Sequence, residues 1–193
     1  MQQVQKVRVL EKIYKDVVFA IIRTSSPEEA LRCAHSVIRG GISSLEISLN
    51  TPGAIEVIRE LTHVYKDDDV LIGAGTVLDD TAANMTIQAG SRFIVSPTID
   101  LGVIKAGNRH NIPVIPGIAT PSELVRAMEA GVDVVKGFPG SVLGPGFIKS
   151  LQGPLPHARV IPVGGVMKEN IQAWLQSGAY AIGIGSGVTH VEG

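Results

Sequence analysis

Two ionisable residues stand among aliphatic neighbours: Glu46 within SLEISL (44–49) and Lys136 within DVVKGF (133–138). An apolar run this short, entered from Gly131 and closed by Gly137 and Pro139, reads as a strand buried on both faces, where an unpaired charge is expensive to hold. Desolvation disfavours the ammonium form and lowers a lysine's pKa; a lysine that loses its proton near neutrality attacks carbonyl carbon. A carboxyl group in the same cavity can move the protons that imine chemistry needs. By themselves, Lys136 and Glu46 read first as a structural ion pair, and further features are needed to shift that balance.

The elements that must position them follow a rhythm. Short aliphatic runs at 17–22, 44–49, 70–75, 93–97, 113–118, 133–138, 159–165 and 181–186 alternate with helix-like stretches such as SPEEALRCAHSVIRGG and TPSELVRAMEAG. Ser26, Thr51 and Thr120 each precede a proline where an N-cap is wanted, and Gly41, Gly90, Gly131 and Gly178 stand where a left-handed residue ends a helix. Those four glycines recur at roughly two strand–helix units, as a repeated block would. β-Branched runs without strict alternation predict parallel strands covered by helices. Eight such units predict an α/β fold, a (β/α)8 TIM barrel, as one domain over 1–193. The segment up to Asp16 is expected to form an extra helix across the barrel bottom, and the last helix is expected to be missing.

In such a barrel, chemistry sits at the carboxyl ends of the strands. Alternation sets Ser44, Glu46 and Ser48 against Leu45, Ile47 and Leu49, and Val134, Lys136 and Phe138 against Val135. If the aliphatic set faces the helices, Glu46 and Lys136 both point into the barrel. VGGV (163–166) and GIGSG (183–187), with Gly164, Gly165, Gly185 and Ser186, end the seventh and eighth strands, where backbone amides can close around a phosphate. Arg23 and Thr76 offer a guanidinium and a hydroxyl to a second anionic group such as a carboxylate.

Composition narrows the partners. The 193 residues carry a net charge of −1 and are 45% hydrophobic, without the basic excess that nucleic acid or an anionic membrane surface calls for. The amphipathic start, MQQVQKVRVLEKIYKD, lacks the apolar core of a signal peptide, and the single Cys33 lies in an apolar-periodic segment; a cytoplasmic protein is expected. The five histidines show no metal-ligand spacing, so no bound metal is expected. The acidic run Asp67–Asp69 reads as a solvated loop.

GAGT (73–76), LEISLNTP (45–52), SP (96–97), IPGIATPSE (115–123), KGFPG followed by GPGFIKSL (136–140, 144–151) and VGGV with EN (169–170) resemble the 2-keto-3-deoxy-6-phosphogluconate / 4-hydroxy-2-oxoglutarate aldolases, in order and over nearly the whole chain from Asp16 onward. The resemblance implies a class I aldolase without metal or other cofactor, a homotrimer, acting on a phosphorylated keto acid and releasing pyruvate. It implies Lys136 as the Schiff-base lysine and Glu46 as the acid/base. Arg23 and Thr76 would hold the carboxylate end, Pro97 and Phe138 would shape the pocket, and Gly164, Gly165 and Ser186 would take the phosphate. Asn50 and Val163 stand where gluconate-type members carry arginine and threonine; with Ser141 they look more like the branch acting on 2-keto-3-deoxy-6-phosphogalactonate. A barrel phosphosugar isomerase or synthase, and a non-catalytic sensor of a phosphorylated acid, are the competing readings.

Overall fold

A computed structural model describes residues 5–185. Its first element, α1 (Gln5–Asp16), is amphipathic and buries Val9 and Ile13. Polar contacts fix it beneath the strands. Lys6 Nζ lies 2.7 Å from Asp133, Tyr180 Oη donates to the Leu10 carbonyl at 3.0 Å, and Asp16 accepts from the hydroxyls of Ser43 and Ser44.

All eight aliphatic runs contain strand. They hold β1 (Val18–Ile22), β2 (Ser44–Ser48), β3 (Leu71–Gly75), β4 (Ile94–Val95), β5 (Val114–Ile115), β6 (Gly117–Ile118), β7 (Val135–Gly137), β8 (Val160–Pro162) and β9 (Ile182–Ile184). Helices α2 (Pro27–Arg39), α3 (Ala54–Val64), α4 (Asp80–Gln88), α5 (Leu101–Arg109), α6 (Pro121–Glu129), α7 (Gly140–Leu151) and α8 (Ile171–Gln176) connect them. Every strand pair is parallel, in two curled sheets ordered β5-β4-β3-β2-β1-β9 and β6-β7-β8. The fifth run, read from sequence as one strand, is divided at Pro116, which has no N–H for a ladder. Its carbonyl still accepts the Lys136 N–H at 2.8 Å. A parallel bridge joins Val163 to Gly183, and Tyr180 N–H reaches the Val160 carbonyl at 2.9 Å.

Alternation sorts the core into two layers. Leu45, Ile47 and Val135 belong to the layer between strands and helices, which also holds the half-buried face of α2 and its Cys33. Phe19, Ile21, Phe93, Val95, Ile115, Val134, Ile161 and Val163 fill the concave side of the sheets, with Val9 and Ile13 of α1 below them. The Phe19 and Phe93 rings meet edge to face, 6.0 Å between centroids.

Caps follow the sequence except at one helix. Ser26 accepts the Glu29 N–H at 3.2 Å, and Thr120 forms a capping box with Glu123. Gly41, Gly90, Gly131 and Gly178 all have positive φ, as their positions require. Thr51 does not cap α3. That helix starts three residues later behind Gly53; the Thr51 hydroxyl instead accepts the Thr24 N–H at 3.1 Å, in a residue only 2% exposed. Asp67–Asp69 is exposed as expected, and Asp69 also meets Lys12 at 3.1 Å. Ser186 and the tail after it, where the last helix was expected to be missing, lie outside the described residues.

Candidate active site

At the carboxyl ends of the strands opens a cavity of about 480 Å³. Lys136, from the middle of β7, stands in its wall and is only 6% exposed. Its Nζ lies 4.9 Å from the centroid of the Phe138 ring, which shares the same strand face. Burial lowers the Lys136 pKa below its ordinary value of 10.5; Glu46 opposes that shift and Arg23 adds to it.

Glu46, in the middle of β2, is 1% exposed and sits behind the cavity wall rather than in it. Burial raises its pKa, opposed by the charges of Lys136 and then Arg23. No contact ion pair joins Glu46 to Lys136 among the described residues, and Glu46 Oε2 is buried with no hydrogen-bond partner. A structural ion pair would close that gap and satisfy that oxygen. The two groups instead sense each other's charge across a space, each pushed towards its neutral form. An amine held towards its neutral form is able to act as a nucleophile.

Room for the Glu46 carboxylate comes from β3. Gly75 pairs with Ser48 in register, and a methyl group on Gly75 would run into the Glu46 side chain. Gly75→Ala is therefore expected to move the carboxylate, lowering kcat at least tenfold on the scale of a misplaced acid/base while leaving the amine in place. Steady-state kinetics alongside Lys136 trapping checks this; an unchanged kcat contradicts it.

At the ends of the strands flanking β2, Arg23 and Thr76 line the cavity, and both touch the Ser48 hydroxyl, Arg23 Nε at 3.4 Å and Thr76 Oγ1 at 3.0 Å. Asn50 is outside the cavity lining and is linked to it through Ser48, whose hydroxyl reaches Asn50 Oδ1 at 3.3 Å. Pro97 and Phe138 are in the wall. Val163 lines it too, donating its N–H to the Gly137 carbonyl at 3.1 Å and accepting from Gly140 at 2.8 Å, so the end of β8 is tied to the strand bearing Lys136. Gly164 and Gly165, both with positive φ, form the rim with Gly185. Asn170 fixes that loop, donating to the Gly165 carbonyl at 2.8 Å and accepting the Met167 N–H at 2.9 Å.

Sequence reasoning brought most of these residues together and missed others. Ile21, Val166 and Gly183 also line the cavity. Ser48 was placed on the Glu46 face of β2 by alternation alone, a signal that could have marked it as a site residue.

Comparison with known proteins shows the family. Residues 9–192 match the family model described as KDPG and KHG aldolase. The 2-dehydro-3-deoxy-6-phosphogalactonate aldolase of Escherichia coli is 39% identical over 168 residues, 86% of this chain and 82% of that protein. The 2-dehydro-3-deoxy-phosphogluconate aldolase of Treponema pallidum is 34% identical over 170 residues, 88% of this chain and 80% of that one. The KDPG aldolase of Legionella pneumophila, solved with pyruvate captured as a covalent carbinolamine intermediate, superposes with a TM-score of 0.84 at 32% identity, covering 92% of this chain and 85% of that one. The fold, the cavity and these likenesses converge: the chain belongs to the KDPG and KHG aldolase family.

Proposed function

We propose that this chain is a class I aldolase that cleaves a 2-keto-3-deoxy-6-phospho sugar acid to pyruvate and glyceraldehyde 3-phosphate, through an imine on Lys136 and with no metal or cofactor. The observation that carries the reading is a buried amine in a cavity wall, lowered in pKa and not locked to the carboxylate beside it. An isomerase or synthase leaves that amine without a task, and a phosphorylated-acid sensor would keep it as an ion pair with Glu46, which is absent among the described residues.

Lys136 adds to the C2 ketone and water leaves, giving a protonated imine that draws electrons from the adjacent bonds. Glu46, through a water, takes the C4 hydroxyl proton. The C3–C4 bond then breaks, its electron pair moving to the imine to give a pyruvate enamine and free glyceraldehyde 3-phosphate. Protonation at C3 and hydrolysis release pyruvate and restore the amine. Arg23 and Thr76 hold the carboxylate, Pro97 and Phe138 shape the pocket, and Gly164, Gly165, Gly185 and Ser186 hold the phosphate.

In the same reading, residues 1–193 form a single domain, a closed (β/α)8 barrel with α1 as an extra helix. β5 and β6 are halves of its fifth strand, and the Val163–Gly183 bridge is its seam. It acts in the cytoplasm as a homotrimer, as the family resemblance implies. No helix among the described residues is long and apolar enough to cross a membrane.

Val163 offers the cavity no hydroxyl donor, and Asn50, set back from it behind Ser48, carries no charge. A site that does not hydrogen-bond a substrate hydroxyl discriminates weakly against its inversion. Both C4 epimers, of gluconate and galactonate type, should therefore release pyruvate at rates within about tenfold of each other. A coupled pyruvate assay run with a chelator present tests this: release from neither epimer contradicts the function, and strong preference for one contradicts the account of Asn50 and Val163.

A further inference from the structure

Ser48 has no role in the mechanism above, yet it is fully buried at the end of β2 and joins three segments at the cavity edge. Its hydroxyl receives the Arg23 Nε–H and the Asn50 backbone N–H, each at 3.4 Å. A serine hydroxyl has two acceptor positions and one proton. Both acceptor positions are thus filled by N–H groups that can only donate. The proton has two candidate acceptors, Thr76 Oγ1 at 3.0 Å and Asn50 Oδ1 at 3.3 Å, and the shorter is the better hydrogen bond.

Thr76 itself is held in an uncommon conformation. Its φ of 59° is in the left-handed region, which a β-branched residue rarely adopts. The ladder bonds around it keep it there: Leu49 N–H to the Gly75 carbonyl at 2.9 Å and Val77 N–H to the Val95 carbonyl at 3.2 Å. Strain of this kind persists where the surroundings over-determine it, commonly at sites that bind or react.

We propose that Ser48 is a positioning residue that fixes hydrogen-bond polarity at the carboxylate end of the site. It donates to Thr76 Oγ1, so the Thr76 proton is directed away from Ser48 and towards the cavity. It also occupies Arg23 Nε, which leaves the two terminal guanidinium nitrogens to meet a carboxylate. The ligand class is a 2-keto acid with a free carboxylate. This inference rests on the assignment of Arg23 and Thr76 to that group under Proposed function.

The test is borohydride trapping on Lys136 with two probes, pyruvate and acetone, the second having the ketone without the carboxylate. In Ser48→Ala and in the nearly isosteric Ser48→Cys, whose thiol is a weak donor and acceptor, the half-saturating pyruvate concentration should rise about tenfold or more. Acetone trapping should stay unchanged in both, and Ser48→Thr should restore the parent behaviour with pyruvate. An unchanged pyruvate half-saturation in the alanine and cysteine variants overturns the role of Ser48 while leaving the Schiff base intact. A parallel loss with acetone also overturns it, since general disturbance of the site would then explain the effect. Failure of the parent protein to form any adduct overturns both this proposal and the reading beneath it.

Discussion

Replacing Lys136 by methionine should abolish cleavage, with a fall of roughly ten-thousandfold or more, because no other group can form the covalent intermediate. Arg23, the other cation lining the described cavity, presents a delocalised guanidinium rather than an amine and cannot substitute as a nucleophile. The variant should remain folded. Methionine keeps the unbranched stem of the side chain, one atom shorter, and removes a buried charge that the apolar surroundings already disfavour. Glu46 then loses the Lys136 charge that most opposes the burial-driven rise in its pKa, which moves it further towards its neutral form.

The sign of the pH dependence follows. A lysine whose folded pKa lies below its unfolded value binds fewer protons in the folded state, so its contribution to stability rises with pH and is lost as pH falls through the lowered pKa. Lys136→Met should remove that acid-side penalty. In the parent protein, the trapping rate at low pyruvate should increase with pH through that same lowered pKa, below 10.5. Turnover by the methionine variant within tenfold of the parent would contradict the mechanism.

Glu46→Gln should reduce kcat between about a hundredfold and ten-thousandfold, the range lost with a general acid/base. Glutamine keeps the shape of the side chain in the space left by Gly75 and cannot take a proton from the C4 hydroxyl. Imine formation on Lys136 should survive, so trapping by borohydride and turnover should separate. Parent-like turnover would remove Glu46 from the mechanism. Loss of trapping in parallel would recast it as a partner needed to hold the amine.

Much of this was legible in the chain because its signals are local. The aliphatic runs are bounded by glycine and proline, and their alternation places Glu46 and Lys136 on the concave side without reference to distant residues. What escaped depends on approach between remote segments. Thr51 stands before a proline as a cap should, but the Thr24 N–H from the end of β1 claims its hydroxyl. Gly75 closes the third aliphatic run, and only its register with β2 shows that a side chain there would displace Glu46. The Ser48 hydroxyl gains its meaning from Arg23 and Thr76 arriving from two other strand ends, an approach that no local pattern encodes. Pro116 carried the signal that divides the fifth run, since it cannot donate to a ladder, but the apolar residues on both sides masked the break.

The central claim, that the buried amine of Lys136 captures the ketone of its substrate, is tested most directly by treating the intact protein with pyruvate and borohydride and locating the adduct by peptide mass. One reduced pyruvate on Lys136, absent when either reagent is omitted, is the result expected. No adduct, or an adduct on some other lysine with Lys136 unmodified, would contradict it.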